Sequence, residues 1–153
     1  MKAFSAAPHR FGAGSNSIPA LWDLATRKQN LTIQGVIDTF AFSPDGKVLA
    51  VGTRLPDAEA VKLYDAATGK LQARFRSGDR YVSALAFSPG GKALAVARYE
   101  KPMQLRDPTT GEVLVVVEDT QFPPSVAFSP DGRVLAAGGA DGRVKLWDIR
   151  AGK

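Results

Sequence analysis

The chain has 153 residues, enough for one ordinary domain with a hydrophobic core, and its 44% hydrophobic and 23% charged residues are close to a soluble globular average. It contains no cysteine, which excludes disulfides and thiolate metal sites, and no apolar run approaches the roughly 20 residues that span a bilayer. The net charge of +5 is spread thinly rather than gathered into a basic stripe, so a nucleic-acid partner is not expected.

The dominant feature of the sequence is an internal repeat, which decides the architecture before any local structure is considered. An aspartate that closes a short strand-like motif recurs after 42, 42 and 41 residues, at Asp23, Asp65, Asp107 and Asp148. We predict one domain over residues 1–153, made of four repeats at roughly 1–35, 36–77, 78–118 and 119–153.

In chain order, the first repeat is eroded and the next three are regular. Ala3-Phe4-Ser5 stands nearly where a first strand should precede Trp22, whereas the element Ala-Phe-Ser-Pro is intact from Ala41, Ala86 and Ala127. We therefore assign Ala3-Phe4-Ser5 to the first strand, strand a, of the first repeat.

Each regular repeat is predicted to form four short strands, a to d, except that the fourth lacks strand d. Strand a ends in Ala-Phe-Ser, and strand b is a continuous apolar run at 48–51, 93–96 and 134–137, which is typical of a strand covered on both faces. Strand c alternates, as in Val61-Lys62-Leu63-Tyr64, and strand d is predicted at 71–75 and 113–117. No helical periodicity of useful length occurs, so the fold class is all-β.

Two kinds of hairpin turn separate these strands. In Ser-Pro-Asp-Gly, proline fits a turn position with φ near −65° and glycine supplies a positive φ. In the turns that begin at Asp65 and Asp107, the aspartate is expected to cap backbone amides and the glycine to take the left-handed position.

These residues resemble the WD40 family, and the resemblance covers nearly the whole chain. Trp22 and Trp147 keep the tryptophan that ends strand c in this family, Tyr64 is a milder substitute, and Arg106 departs from it. The family's buried network needs a histidine, but the one histidine, His9, stands elsewhere. Asp141 matches the family's turn aspartate and is expected to cap its own turn.

The resemblance implies a rigid β-propeller platform for other proteins, with partners docking on the top face, where the d–a and b–c loops meet. Tyrosine and arginine are enriched at binding hot spots. The candidate protein-binding residues carried over to this chain are Arg54, Asp57, Glu59, Arg80, Tyr81, Tyr99, Glu100, Lys101 and Phe122.

Four blades raise a question of closure, because an open arc leaves the faces of its two terminal blades bare. The fourth repeat ends after its third strand, so its outer strand d is missing, and residues 1–5 cannot serve both as that strand and as strand a of the first repeat. Either two chains close one eight-bladed ring as a homodimer, or the chain is a piece of a longer protein.

The expected function is a non-catalytic, self-assembling protein-interaction scaffold of the cytoplasm, with no membrane partner. The turn carboxylates are explained by capping, and no acid–base pair, cofactor loop or metal cluster stands out, so we expect no enzyme activity, no cofactor and no metal. The alternatives are a purely structural self-association unit, a fragment of a longer multi-domain protein, and a small-molecule or glycan site in the central channel.

Overall fold

The fold consists of separate antiparallel sheets that follow one another along the chain. A computed structural model describes residues 4–6, 20–23, 28–32, 37–53, 60–76, 81–118, 120, 125–139 and 141–149, and for the first three ranges it describes only the course of the strands. These residues form four sheets and no α-helix, which confirms the all-β prediction.

The strands pair with their neighbours in sequence, so each sheet is a meander. The first sheet contains β1 (Phe4–Ala6), β2 (Ala20–Asp23) and β3 (Lys28–Thr32). The second contains β4 (Ile37–Phe42), β5 (Val48–Thr53), β6 (Val61–Asp65) and β7 (Leu71–Phe75). The third contains β8 (Val82–Phe87), β9 (Leu94–Arg98), β10 (Lys101–Arg106) and β11 (Val113–Val117). The fourth contains β12 (Ser125–Phe128), β13 (Val134–Gly138) and β14 (Val144–Asp148). Strands a to d of the second and third repeats lie where the pattern predicts them.

The assignment of Ala3-Phe4-Ser5 to strand a of the first repeat is wrong. β1 pairs directly with β2, with Ser5 opposite Trp22, in the register that places Leu49 opposite Tyr64 in the second sheet. β1 therefore has the position of a strand b. The physical reason lies in the sequence from residue 7 to residue 19, which contains no four-residue apolar run that could form strand b.

The Ser-Pro-Asp-Gly turns are closed by their own side chains. In the turn between β4 and β5, the hydroxyl of Ser43 donates to Asp45 Oδ1 at 2.6 Å and accepts the backbone N–H of Val48 at 2.9 Å. Ser129, Asp131 and Val134 repeat this arrangement at 2.6 and 2.9 Å. The glycines that close these two turns have φ values of 69° and 70°, and Gly91, which closes the Ser-Pro-Gly-Gly turn of the third sheet, has 69°, which confirms their predicted left-handed conformation.

The capping aspartates are expected to make the stability of the fold decrease in acid. Three exposed carboxyls have a pKa below the ordinary value of 3.8 because they accept hydrogen bonds. The main donor is the Ser43 hydroxyl for Asp45, the Thr68 hydroxyl for Asp65 and the Thr109 backbone N–H for Asp107. A carboxyl whose pKa is lower in the folded state than in the unfolded state stabilises the fold at pH values above the unfolded-state pKa. This stabilisation is lost as the pH falls through the folded-state pKa.

Stability is therefore expected to fall when the pH is lowered from about 5 to about 3. A triple Asp45→Asn, Asp65→Asn, Asp107→Asn variant should lose less of its free energy of unfolding over that range, because an amide has no charge to titrate. Urea unfolding followed by circular dichroism measures both slopes. Equal slopes for the variant and the unmodified chain would place the acid sensitivity in other groups.

The described core lies between the second, third and fourth sheets, which pack face to face. Strands a of the second, third and fourth sheets (β4, β8 and β12) are neighbours. One apolar cluster joins the second and third sheets, with Leu63 and Leu94 among its buried members, and another joins the third and fourth sheets around Leu105 and Leu135. Each sheet interior therefore depends on the next sheet to exclude water.

Arg106, which stands where the family has tryptophan, has a structural role of its own. Its guanidinium lies 5.4 Å from the centre of the Phe75 ring in the preceding sheet and donates to the Gln104 side chain and, at 2.8 Å, to the carbonyl of Gly111. Burial lowers the pKa of Arg106. The stacked guanidinium thus provides a contact between sheets at the tryptophan position.

Candidate protein-interaction surface

The structure brings together two of the tyrosines that the resemblance places on the top face. The rings of Tyr81, just before β8, and Tyr99, just after β9, stack with their centres 4.7 Å apart and their planes 25° from parallel. The backbone N–H of Tyr99 donates to the carbonyl of Tyr81 at 3.1 Å. Both residues are half-buried, so the stacked pair presents aromatic surface to solvent while its backbone is held.

The turn that carries Tyr99 is short and constrained. Arg98 and Lys101 are paired across it, so Tyr99 and Glu100 form a two-residue hairpin loop. Glu100 has a φ of 52°, a conformation that residues other than glycine adopt infrequently. Buried Arg98 supports the turn from beneath by donating to the carbonyl of Pro102 at 2.8 Å. The hairpin turn that carries Tyr99 is therefore held by hydrogen bonds on both sides.

A buried threonine ties the loop after β11 to the same end of the third sheet. The hydroxyl of Thr120 accepts the backbone N–H of Met103 at 2.7 Å and donates to the carbonyl of Val117 at 3.1 Å. Thr120 is thus held at the start of strand c. The stacked pair and Thr120 mark the top end of the third sheet as the best-defined part of the predicted surface.

The other predicted binding residues are placed differently. Glu100 is exposed in the hairpin turn, next to the tyrosine pair. Lys101 is the first residue of β10 rather than part of a loop, because its backbone pairs with Arg98. The remaining candidates lie outside the described residues: Arg54, Asp57, Glu59, Arg80 and Phe122.

A second surface is formed by the outward face of the fourth sheet. Val144 and Leu146 are 69% and 68% exposed, whereas Val61 and Leu63, at the same positions of the second sheet, are 0% and 3% exposed. The third sheet covers Val61 and Leu63, and no further sheet follows the fourth among the described residues. Val144 and Leu146 define this outward face of the fourth sheet, which is apolar and exposed among the described residues.

Sequence reasoning did not name Val144 and Leu146, because their local pattern is that of buried residues. Val144-Lys145-Leu146 repeats Val61-Lys62-Leu63 letter for letter. The sequence pattern also did not predict that the edge strand β11 exposes apolar side chains, which are those of Val113, Leu114 and Val116.

The described residues also form a groove between two sheets. The groove, of about 460 Å³, lies between the turns of the second and third sheets, and its lining includes apolar residues such as Pro44 and Phe87 and polar ones such as Asp45 and Gln72. Within the described ranges, no three His, Cys, Asp or Glu side chains gather as a metal site would require. No helix in that part of the chain has the length and apolar character needed to cross a membrane.

The four sheets are consecutive antiparallel meanders, and the second to fourth stack face to face. In each sheet, strand c ends in an aromatic or arginine residue followed by aspartate. These features define a β-propeller repeat protein. Residues 120–148 match the family model described as WD domain, G-beta repeat. The chain belongs to the WD40 repeat family.

Similar proteins support the same assignment. A WD repeat-containing protein of Schistosoma mansoni is 32% identical over 147 residues, which are 92% of this chain and 48% of that protein. An uncharacterized WD repeat-containing protein of Synechocystis is 32% identical over 81% of this chain and 35% of its own length. The periodic tryptophan protein 2 homolog of Schizosaccharomyces pombe is 27% identical over 74% of this chain and 13% of its own length. The chain thus spans about half or less of the relatives it matches.

Proposed function

We propose that this chain is a non-catalytic scaffold that binds another protein through the top end of its third sheet. The observation that carries the proposal is the stacked pair Tyr81–Tyr99, with ring centres 4.7 Å apart. Rigid aromatic side chains supply contact area at a low cost in conformational entropy, and tyrosine is enriched at binding hot spots. The constrained hairpin at Glu100 favours a preorganised surface.

The proposal includes self-assembly of two copies into one larger propeller. Support comes from the outward face of the fourth sheet, whose Leu146 is 68% exposed although a following sheet buries its counterpart Leu63. The packing of neighbouring turns also supports self-assembly. A Cβ added to Gly91 would lie 3.8 Å from Pro44, and one added to Gly132 would lie 3.4 Å from Pro89, so each turn contacts its neighbour in the next sheet.

The series of turn contacts suggests what the outward face of the fourth sheet accepts. Pro130 holds in the fourth sheet the place that Pro44 and Pro89 hold in the second and third. In the proposed assembly it packs on a sheet of the other copy. The fourth sheet of each chain then meets the first sheet of its partner, and the ring closes with two-fold symmetry. A cytoplasmic location belongs to the same proposal and stays a prediction.

Replacing both tyrosines, Tyr81→Ala with Tyr99→Ala, is expected to abolish partner binding without unfolding the chain. Truncating a hot-spot aromatic residue costs about 2 kcal/mol or more, which is at least a tenfold loss of affinity. The immobilised chain and its variants are compared for the proteins they retain from a cell lysate, with quantification by mass spectrometry.

Lys92→Ala, an exposed change in the turn at the opposite end of the third sheet, is the control and should retain the same proteins. Urea midpoints confirm that each variant is folded. If the unmodified chain retains only copies of itself, the purely structural alternative replaces the scaffold. If the double variant retains partners as well as the control does, the binding surface lies away from the tyrosine pair.

A further inference from the structure

The outer edge of the third sheet is apolar in a way that the fold does not require. β11 is the last strand in the order of its sheet, and three of its five residues are large, apolar and exposed: Val113 at 43%, Leu114 at 51% and Val116 at 47%. The strand contains no proline, glycine or charge. Exposed edge strands of this composition readily pair with another extended chain.

The equivalent strand of the second sheet is protected. Ala73 lies opposite Leu63 in β6, as Val115 lies opposite Leu105 in β10, so Gln72 and Arg74 correspond to Leu114 and Val116. A charge on an edge strand opposes pairing with a foreign strand. The second sheet has this protection at Arg74, and the third sheet has valine there. The difference is specific to β11 and is not a property of the repeat.

The charges at the two ends of β11 select the occupant. Glu112 and Glu118 flank the strand, and both are exposed. If β11 paired antiparallel with β11 of a second copy about Val115, each Glu112 would lie opposite a Glu118. Like charges directly opposite each other across strands are destabilising. A second copy is therefore disfavoured, and an extended segment with basic residues at its ends fits the edge.

We propose that β11 is a β-augmentation site for an extended peptide of another protein, in which alternating apolar residues lie between lysine or arginine residues. The peptide adds an antiparallel fifth strand beyond β11. Its backbone completes the hydrogen bonding of the edge, its apolar side chains cover Leu114 and Val116, and its basic ends pair with Glu112 and Glu118. The site is separate from the tyrosine pair and from the outward face of the fourth sheet.

The test uses a fluorescent synthetic peptide of valines alternating with threonines between two terminal lysines, titrated into the full chain and followed by fluorescence anisotropy. Saturable binding is expected. Val116→Lys, which introduces a charge as Arg74 does in β7, should weaken binding about tenfold or more, and Leu114→Lys should do the same. Gln72→Lys, at the position of the second sheet that corresponds to Leu114, is the matched control and should leave the affinity unchanged.

Two further peptides separate the components of the proposed site. A peptide with glutamates at its ends should bind about tenfold more weakly or worse, and methylation of the amides that face β11 should abolish binding. No saturable binding, or binding that Val116→Lys or amide methylation leaves unchanged, would overturn the proposal. So would a change in the solution mass of the chain alone on Val116→Lys, because the edge would then be paired with a second copy.

Discussion

A Leu146→Lys variant is expected to remain folded and to have half the solution mass of the unmodified chain. In the proposed assembly, Leu146 leaves water when the fourth sheet packs against the other copy, and a lysine there would bury a charge without a partner. In the single chain the side chain is 68% exposed, so the substitution costs little. Light scattering should give twice 16.2 kDa for the unmodified chain and 16.2 kDa for the variant.

Leu71→Lys is the matched control for this experiment. Leu71 is also an exposed leucine, at 46%, but it lies on the outer strand of the second sheet and away from the outward face of the fourth. Its replacement should leave the mass at twice that of one chain. A mass of 16.2 kDa for the unmodified chain contradicts the dimer, and a Leu146→Lys variant that stays dimeric moves the contact elsewhere.

The regular repeats were predictable because their signals are local. The Ser-Pro-Asp-Gly turn fixes where strand a ends and strand b begins, so an apolar run predicted at 48–51 corresponds to β5 at Val48–Thr53. The turn aspartates were predictable for the same reason. Asp141, for instance, caps its own turn by accepting the backbone N–H of Arg143 at 3.1 Å, as expected in the absence of a histidine partner.

The parts that were not predictable depend on neighbours distant in the sequence. The place of β1 beside Trp22 depends on pairing across residues 7–19, whose sequence holds no apolar run like that of a strand b. The stacking of Tyr81 on Tyr99 depends on how the start of β8 meets the hairpin after β9. Arg106 contacts Phe75 in the preceding sheet. In the sequence, Arg106 is only a departure from the family's tryptophan, and its packing role becomes visible when the two sheets are placed together.

Gly52 is a position where a single methyl group is expected to lower the stability strongly. A Cβ at Gly52 would lie 2.7 Å from Thr39 Cγ2 and 2.8 Å from Val82 Cγ1, where the second sheet meets the first strand of the third. Both neighbours are β-branched side chains that cannot easily turn away. Gly52→Ala should therefore force the two sheets apart and lower the free energy of unfolding by about 2–3 kcal/mol.

Gly90→Ala is the control, because a Cβ at Gly90 would meet nothing within 4 Å and should change the stability little. Urea unfolding of both variants, with circular dichroism as the signal, measures the difference. One of the two nearest side chains is Val82 of the third sheet. Val82→Ala removes Cγ1 but leaves the Cβ 2.9 Å from the added methyl group, so it should recover a small part of the stability lost in Gly52→Ala, although it leaves a cavity when made alone. If Gly52→Ala is as stable as Gly90→Ala, the second and third sheets are not packed as closely as the structure has them, and the shared core on which the propeller depends would be looser than its buried residues indicate.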